Sequence, residues 1–138
     1  MQKPVIIIGI IFLVAIAAYT IFAIQDQNNV QTSLNWHTDL NSAFEESKKT
    51  NAPIFIDFYA PWCSYCKKLD ENTFSNPKVQ ANLNYNYIVV KIDIDKYPDI
   101  ASKYKVYGVP TMVFLYSNGT EFKRKEGYIG PDEFFNLL

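Results

Sequence analysis

Two short apolar runs restrict this chain more than any other feature: "IFIDFYA" at 54–60 and "YIVVKIDI" at 87–94. Both are rich in branched and aromatic residues, and neither alternates cleanly with polar ones. That is the pattern of strands buried on both faces. Such strands need helices on either side, and the intervening stretches supply them. Thr38 or Asp39 can cap a helix reaching about Thr50, with Leu40, Ala43 and Phe44 as its apolar stripe and Asn51 and Pro53 ending it. A second helix should begin near Cys63 and reach about Glu71. Ser75-Asn76-Pro77 marks another start, a cap residue followed by proline at the first helical position. Residues 98–104 read as a short helix. "TMVFLY" (111–116) and "EFKRKEG" (121–127) read as a hairpin turning at Asn118-Gly119, and Gly130-Pro131-Asp132 opens a last helix. The order α-β-α-α-β-α-β-β-α pairs the early strands in parallel and adds an antiparallel pair at the end. The expected class is α/β, a central mixed sheet flanked by helices, over residues 36–138.

Ahead of that domain, "VIIIGIIFLVAIAAYTIFAI" (5–24) runs twenty positions without a charge. About 20 apolar residues suffice for a helix to cross the hydrocarbon core. A cleaved signal peptide is the alternative, since Ala15-Ile16-Ala17 has suitable small residues, but the run is long for a signal and continues past them. An uncleaved single-pass anchor is therefore expected. Lys3 precedes the run and Asp26 is the first charge after it, so residues 1–4 are expected on the cytoplasmic side of a cell membrane and the rest outside. Residues 25–35, "QDQNNVQTSLN", are polar and aperiodic and read as a linker.

Thirteen basic and 14 acidic side chains leave a net charge of −1, which gives no electrostatic reason to expect nucleic acid. Lys123-Arg124-Lys125 sits between Glu121 and Glu126 and reads as a solvated strand edge. Asn118-Gly119-Thr120 fits the glycosylation acceptor pattern, but its reading as a hairpin turn suffices by itself.

Both cysteines of the chain lie in "PWCSYC", Cys63 and Cys66. A structural zinc site wants four ligands, and two cysteines with the lone His37 cannot close one; Cu(I) held by two thiolates stays open as a carrier reading. A structural staple over so small a loop would constrain the unfolded chain little. A redox pair fits best. Disulfide exchange needs an attacking thiolate and a second thiol near enough to resolve the mixed disulfide. At a helix start the first sulfur meets unsatisfied N–H groups and the positive end of the helix dipole, which lowers its pKa. Cys63 should attack and Cys66 should resolve.

With "FIDFYAPWCSYC", "VVKIDID" and "YGVPT" in this order, the chain resembles the thioredoxin superfamily over about residues 36–138. "CKKLDENTFSNPKVQANL" further resembles the C-terminal thioredoxin-like domain of DsbD-type thiol:disulfide interchange proteins. The resemblance implies a thioredoxin-like three-layer fold, no cofactor, and protein disulfides as substrates. It also implies a separate membrane electron-transfer protein that recharges the pair. It assigns Asp57 as a buried carboxylate under the cysteines, Lys91 as the lysine near it, and Pro110 as a cis-proline. An aspartate in an apolar strand is costly unless paired or protonated, so Asp57 is expected to take and return the Cys66 proton, with Lys91 tuning it. A cis bond would free the Val109 backbone to pair with an extended substrate. Trp62 either shields the sulfurs and offers an apolar contact surface or packs in the core. The expected activity is that of a membrane-anchored disulfide reductase; an oxidase or isomerase of folding proteins would use the same residues.

Overall fold

The computed structural model describes residues 3–26 and 33–138 of the 138-residue chain. Residues 1–2 of the expected N-terminal stub and 27–32 of the expected linker lie outside the described residues. Two units are distinguished, 1–31 and 32–138. The first holds helix α1, Lys3–Asp26. Among the described residues, no helix is long and apolar enough to cross a membrane; the side chains described in α1 are those at 7, 8 and 10–21.

In the second unit the order expected from the sequence is found: α2 (Leu40–Thr50), β1 (Ile54–Tyr59), α3 (Ser64–Lys68), α4 (Pro77–Asn86), β2 (Ile88–Asp93), α5 (Pro98–Lys103), β3 (Thr111–Leu115), β4 (Glu121–Glu126) and α6 (Pro131–Leu137). The sheet order is β2-β1-β3-β4. β1 pairs parallel with β2, and β3 runs antiparallel to both β1 and β4.

Alternation along β1 divides the core. Ile54, Ile56 and Phe58 join Leu40, Ala43 and Tyr104 on the face covered by α2 and α5. Phe55 points the other way, into Leu69, Phe74, Val79, Leu83 and Phe134 beneath α3, α4 and α6. Both faces of the sheet are thus apolar, which is why the strand signals are continuous rather than alternating.

Local differences from the sequence reading have local causes. The helix after Cys63 continues past Glu71 to Phe74, with Leu69–Phe74 wound as a wider π-helical turn. Leu69, Thr73 and Phe74 are buried there, and the Thr73 hydroxyl donates to the Ile129 carbonyl (2.6 Å). The hairpin loop has three residues, Ser117-Asn118-Gly119, because Tyr116 and Thr120 still pair (2.9 Å). Gly119 closes it at φ 85, a conformation that favours glycine. The ordered domain reaches upstream of Trp36: the Asn84 side chain holds the Ser33 carbonyl (2.9 Å) and the Asn35 amide (3.3 Å), and Leu34 packs on the core.

Asp39 caps α2, its carboxylate accepting from the Asn41 and Ser42 amides. Asn76 caps α4 through the Lys78 and Val79 amides, ahead of proline at the first helical position. Asn76→Ala is expected to cost about 1 kcal/mol of stability, read as a lowered urea midpoint at unchanged slope. A midpoint equal to wild type would show that the cap is energetically idle.

Candidate active site

β1 ends at Tyr59, and the chain turns through Ala60-Pro61-Trp62 to bring Cys63 to the head of α3. Cys63 is the N-cap of that helix: its backbone is extended, and its Sγ accepts the Cys66 amide hydrogen at 3.1 Å. Cys63 and Cys66 are joined as a disulfide with their Cα atoms 5.3 Å apart. Both are buried, at 5% and 3% exposure, so burial alone hardly separates them; position does. One sulfur caps the helix and the other lies within its first turn. The pair packs with Ala60, Tyr59, Ile94 and Val109.

The Val109–Pro110 peptide is cis. Val109 is half-buried against the cysteines and Pro110 is buried. Trp62 is not core: it is 68% exposed, and its Nε1–H donates to the Asp95 carboxylate at 2.9 Å. Tyr65, between the cysteines, is exposed as well.

Asp57 lies on β1 opposite Lys91 of β2 in the parallel register. Its carboxylate is 1% exposed, with Oδ2 3.2 Å from the Lys91 ammonium. The other oxygen, Oδ1, is buried with no hydrogen-bond partner among the described residues. Burial is the main cause that pushes Asp57 up to about 6; Lys91 opposes it and Asp70 reinforces it. A carboxylate with that affinity and a free lone pair can exchange a proton near neutral pH.

Lys91 serves a second carboxylate, Asp70, to which it donates a hydrogen bond. The rings of Trp36, Tyr59 and Phe74 surround the ammonium at 5.1, 5.0 and 5.7 Å. Sequence reasoning missed Asp70 and Asp95. The signal for Asp70 was its spacing, one helical turn after Cys66 and so on the same helix face. Asp95 carried no signal, because only the folded loop brings it to Trp62.

The remaining sequence candidates fall elsewhere. His37 pairs with Glu46 (3.1 Å) and bridges β2 through its backbone. Lys123, Arg124 and Lys125 lie on edge strand β4, engaging the Leu137 carbonyl, Glu121 and Glu133. Among the described residues no group of three or more histidine, cysteine or acidic side chains could hold a metal.

Comparison with known proteins places the fold in a family. A family model described as "Thioredoxin-like domain" matches residues 40–138. Protein disulfide isomerase-like 5-3 of Oryza sativa subsp. japonica is 39% identical over 77 residues, covering 56% of this chain and 18% of that protein. The thiol:disulfide interchange protein DsbD of Campylobacter jejuni (strain RM1221) is 32% identical over 98 residues, covering 68% of this chain and 17% of that one. The chain thus spans about a fifth of the length of these relatives. The oxidised C-terminal domain of Neisseria meningitidis DsbD has the same fold, with a TM-score of 0.64 at 23% identity over 74% of this chain and 95% of that one. Matched by its family model from Leu40 to the last residue, the chain belongs to the thioredoxin-like domain family.

Proposed function

We propose that the chain is a protein-disulfide reductase anchored in a cell membrane by residues 5–24, with residues 36–138 outside the cytoplasm. The observation that carries the redox reading is the Cys63 sulfur capping α3 and accepting a backbone hydrogen bond, a setting that stabilises a thiolate. In the reduced form the Cys63 thiolate attacks a partner disulfide, and the partner's other sulfur leaves as a thiolate. Cys66 gives its proton to Asp57, and the new thiolate attacks Cys63. The Cys63–Cys66 disulfide closes, the partner's second sulfur leaves and takes up a proton, and two electrons have passed to the partner. A dithiol on a membrane electron-transfer protein then reduces the pair by the reverse steps. Trp62, with Val109 and Pro110, forms the surface that meets an extended substrate. The uncharged stretch 5–24 and the single preceding Lys3 support the anchor and its orientation. The DsbD likeness supports reductive traffic.

The isomerase-like relative favours one alternative, an oxidase or isomerase role for the same residues. A reduction potential near about −270 mV fits the reductase, and one near about −180 mV fits the isomerase. The reading itself is tested with Cys66→Ala in membranes. Mixed disulfides with other proteins should accumulate, and should vanish when Cys63 is also replaced. Their absence, or their survival without Cys63, would overturn it.

A further inference from the structure

Lys91 is the shared element of the proton site. Its ammonium lies between the buried Asp57 and the half-exposed Asp70, and three aromatic faces limit where else it can go. Asp70 is held at this place by the helix that begins at Cys63, just inside the widened turn Leu69–Phe74. On the Asp70 side an open cavity of about 340 Å3 is lined by Trp36, Phe74, Gln80 and Lys91, so one carboxylate faces solvent and the other faces the core. One positive charge is divided between two acids of unlike surroundings.

We propose that Asp70 is a positioning residue for the proton step: it holds Lys91 between the two carboxylates, so that Asp57 receives only part of the lysine's charge and remains able to accept the Cys66 proton near neutral pH. This deepens the exchange mechanism above and rests on that reading. Without Asp70, two effects act with the same sign. The repulsion between the carboxylates disappears, and Lys91 is free to pair wholly with Asp57. Both favour the ionised form of Asp57, and both lower its proton affinity. The contribution of Asp70 to raising Asp57 agrees with this direction.

The other titratable groups around Lys91 come from three elements. Tyr59 lies on β1 and Asp93 on β2, and Lys96 and Tyr97 follow β2; all four line a second cavity with Lys91. His37, whose carbonyl accepts the Lys91 amide hydrogen, has its ring engaged with Glu46. Among the described residues the ion pair of Asp70 is with Lys91, so the substitution acts on these groups only through the lysine.

The test is a carboxyl-carbon NMR titration of Asp57 in the full oxidised chain in detergent micelles, comparing wild type, Asp70→Asn and Asp70→Glu. Asp70→Asn should weaken proton binding at Asp57 by about tenfold or more, a shift of about one pH unit. Asp70→Glu should restore most of it. The low-pH limb of the Cys66-dependent release rate should move by the same amount. In a Lys91→Met background the effect of Asp70→Asn should shrink, because only the direct repulsion between the two carboxylates then remains. Unchanged Asp57 titration in Asp70→Asn overturns the proposal, as does an effect that persists undiminished without Lys91. The titration needs no turnover, so absence of exchange activity would count against the oxidoreductase reading alone.

Discussion

Asp57→Asn is expected to yield a domain that is more stable above neutral pH and poorer at its chemistry. Asp57 has its proton affinity raised from an ordinary 3.8 to about 6, chiefly by burial. The folded state therefore holds this proton more tightly than the unfolded state does. Between pH 4 and 6 the native protein binds more protons, so stability falls as pH rises through that window and stays lower above it. The full difference is at most about 3 kcal/mol at neutral pH and beyond. Asparagine has nearly the same shape and no charge to desolvate. Urea midpoints of variant and wild type should nearly coincide near pH 4 and diverge as pH rises, with the variant higher by an amount approaching that figure at pH 8. Parallel curves for the two proteins would mean that Asp57 does not titrate in this range.

The same substitution removes the proton acceptor for Cys66. General-base assistance is worth about a hundredfold where a positioned group supplies it. A thiol can also lose its proton to solvent as pH approaches its own pKa, so the deficit should be largest near pH 7 and shrink toward pH 9. Stopped-flow measurement of the release step, with initial Cys63 attack followed separately, isolates this loss. A buried charge retained at a cost to stability, and lost with a cost to rate, is the signature of a group kept for chemistry rather than for folding.

The strands and their order were legible because burial on both faces leaves an unbroken apolar run, as at Ile54–Tyr59 and Ile88–Asp93. The caps were legible because Asp39 and Asn76 act on amides two and three residues ahead. Cys63 and Cys66 were singled out by their spacing, and Lys91 and Pro110 by the resemblance alone, with Asp57 marked by both the resemblance and its place in an apolar strand; the fold joins the cysteines, sets Asp57 beside Lys91 and makes the Val109–Pro110 bond cis. Asp70 was hidden for a different reason. Its partner Lys91 is 21 residues away on another element, and an acidic residue on an exposed helix turn looks like solubility. The π-helical turn was hidden too, since Leu69–Phe74 satisfies tertiary contacts rather than a local preference. Trp62 could be read as core or as surface, and only the folded loop carrying Asp95 decides for the surface.

Phe55→Ala is expected to be among the most destabilising single changes in the domain, costing about 3–5 kcal/mol. Phe55 is fully buried, and its ring centroid lies 5.0 Å from that of Phe114, 5.7 Å from Phe134, 5.8 Å from Phe74 and 6.1 Å from Trp36. Those four rings come from β3, α6, the π-helical turn and the segment before α2, so no single movement can bring them together over the gap. Poor collapse is what places a large-to-small change at the high end of its range, because the cavity penalty adds to the lost transfer energy. Against a typical total of 5–15 kcal/mol, such a loss removes a large fraction of the stability. Phe122→Ala is the matched control. Phe122 is 36% exposed on the edge strand, where its ring lies tilted against exposed Tyr116 with centroids 4.5 Å apart, and its removal should cost about 1 kcal/mol. Urea unfolding of both variants at equal slope gives the comparison directly. Equal losses would mean that the Phe55 cluster does not govern the core on this face of the sheet. Because Phe55 and Asp57 lie on the same face of β1, two residues apart, a loosened cluster should also admit water toward Asp57 and bring its titration down toward the ordinary carboxylate range.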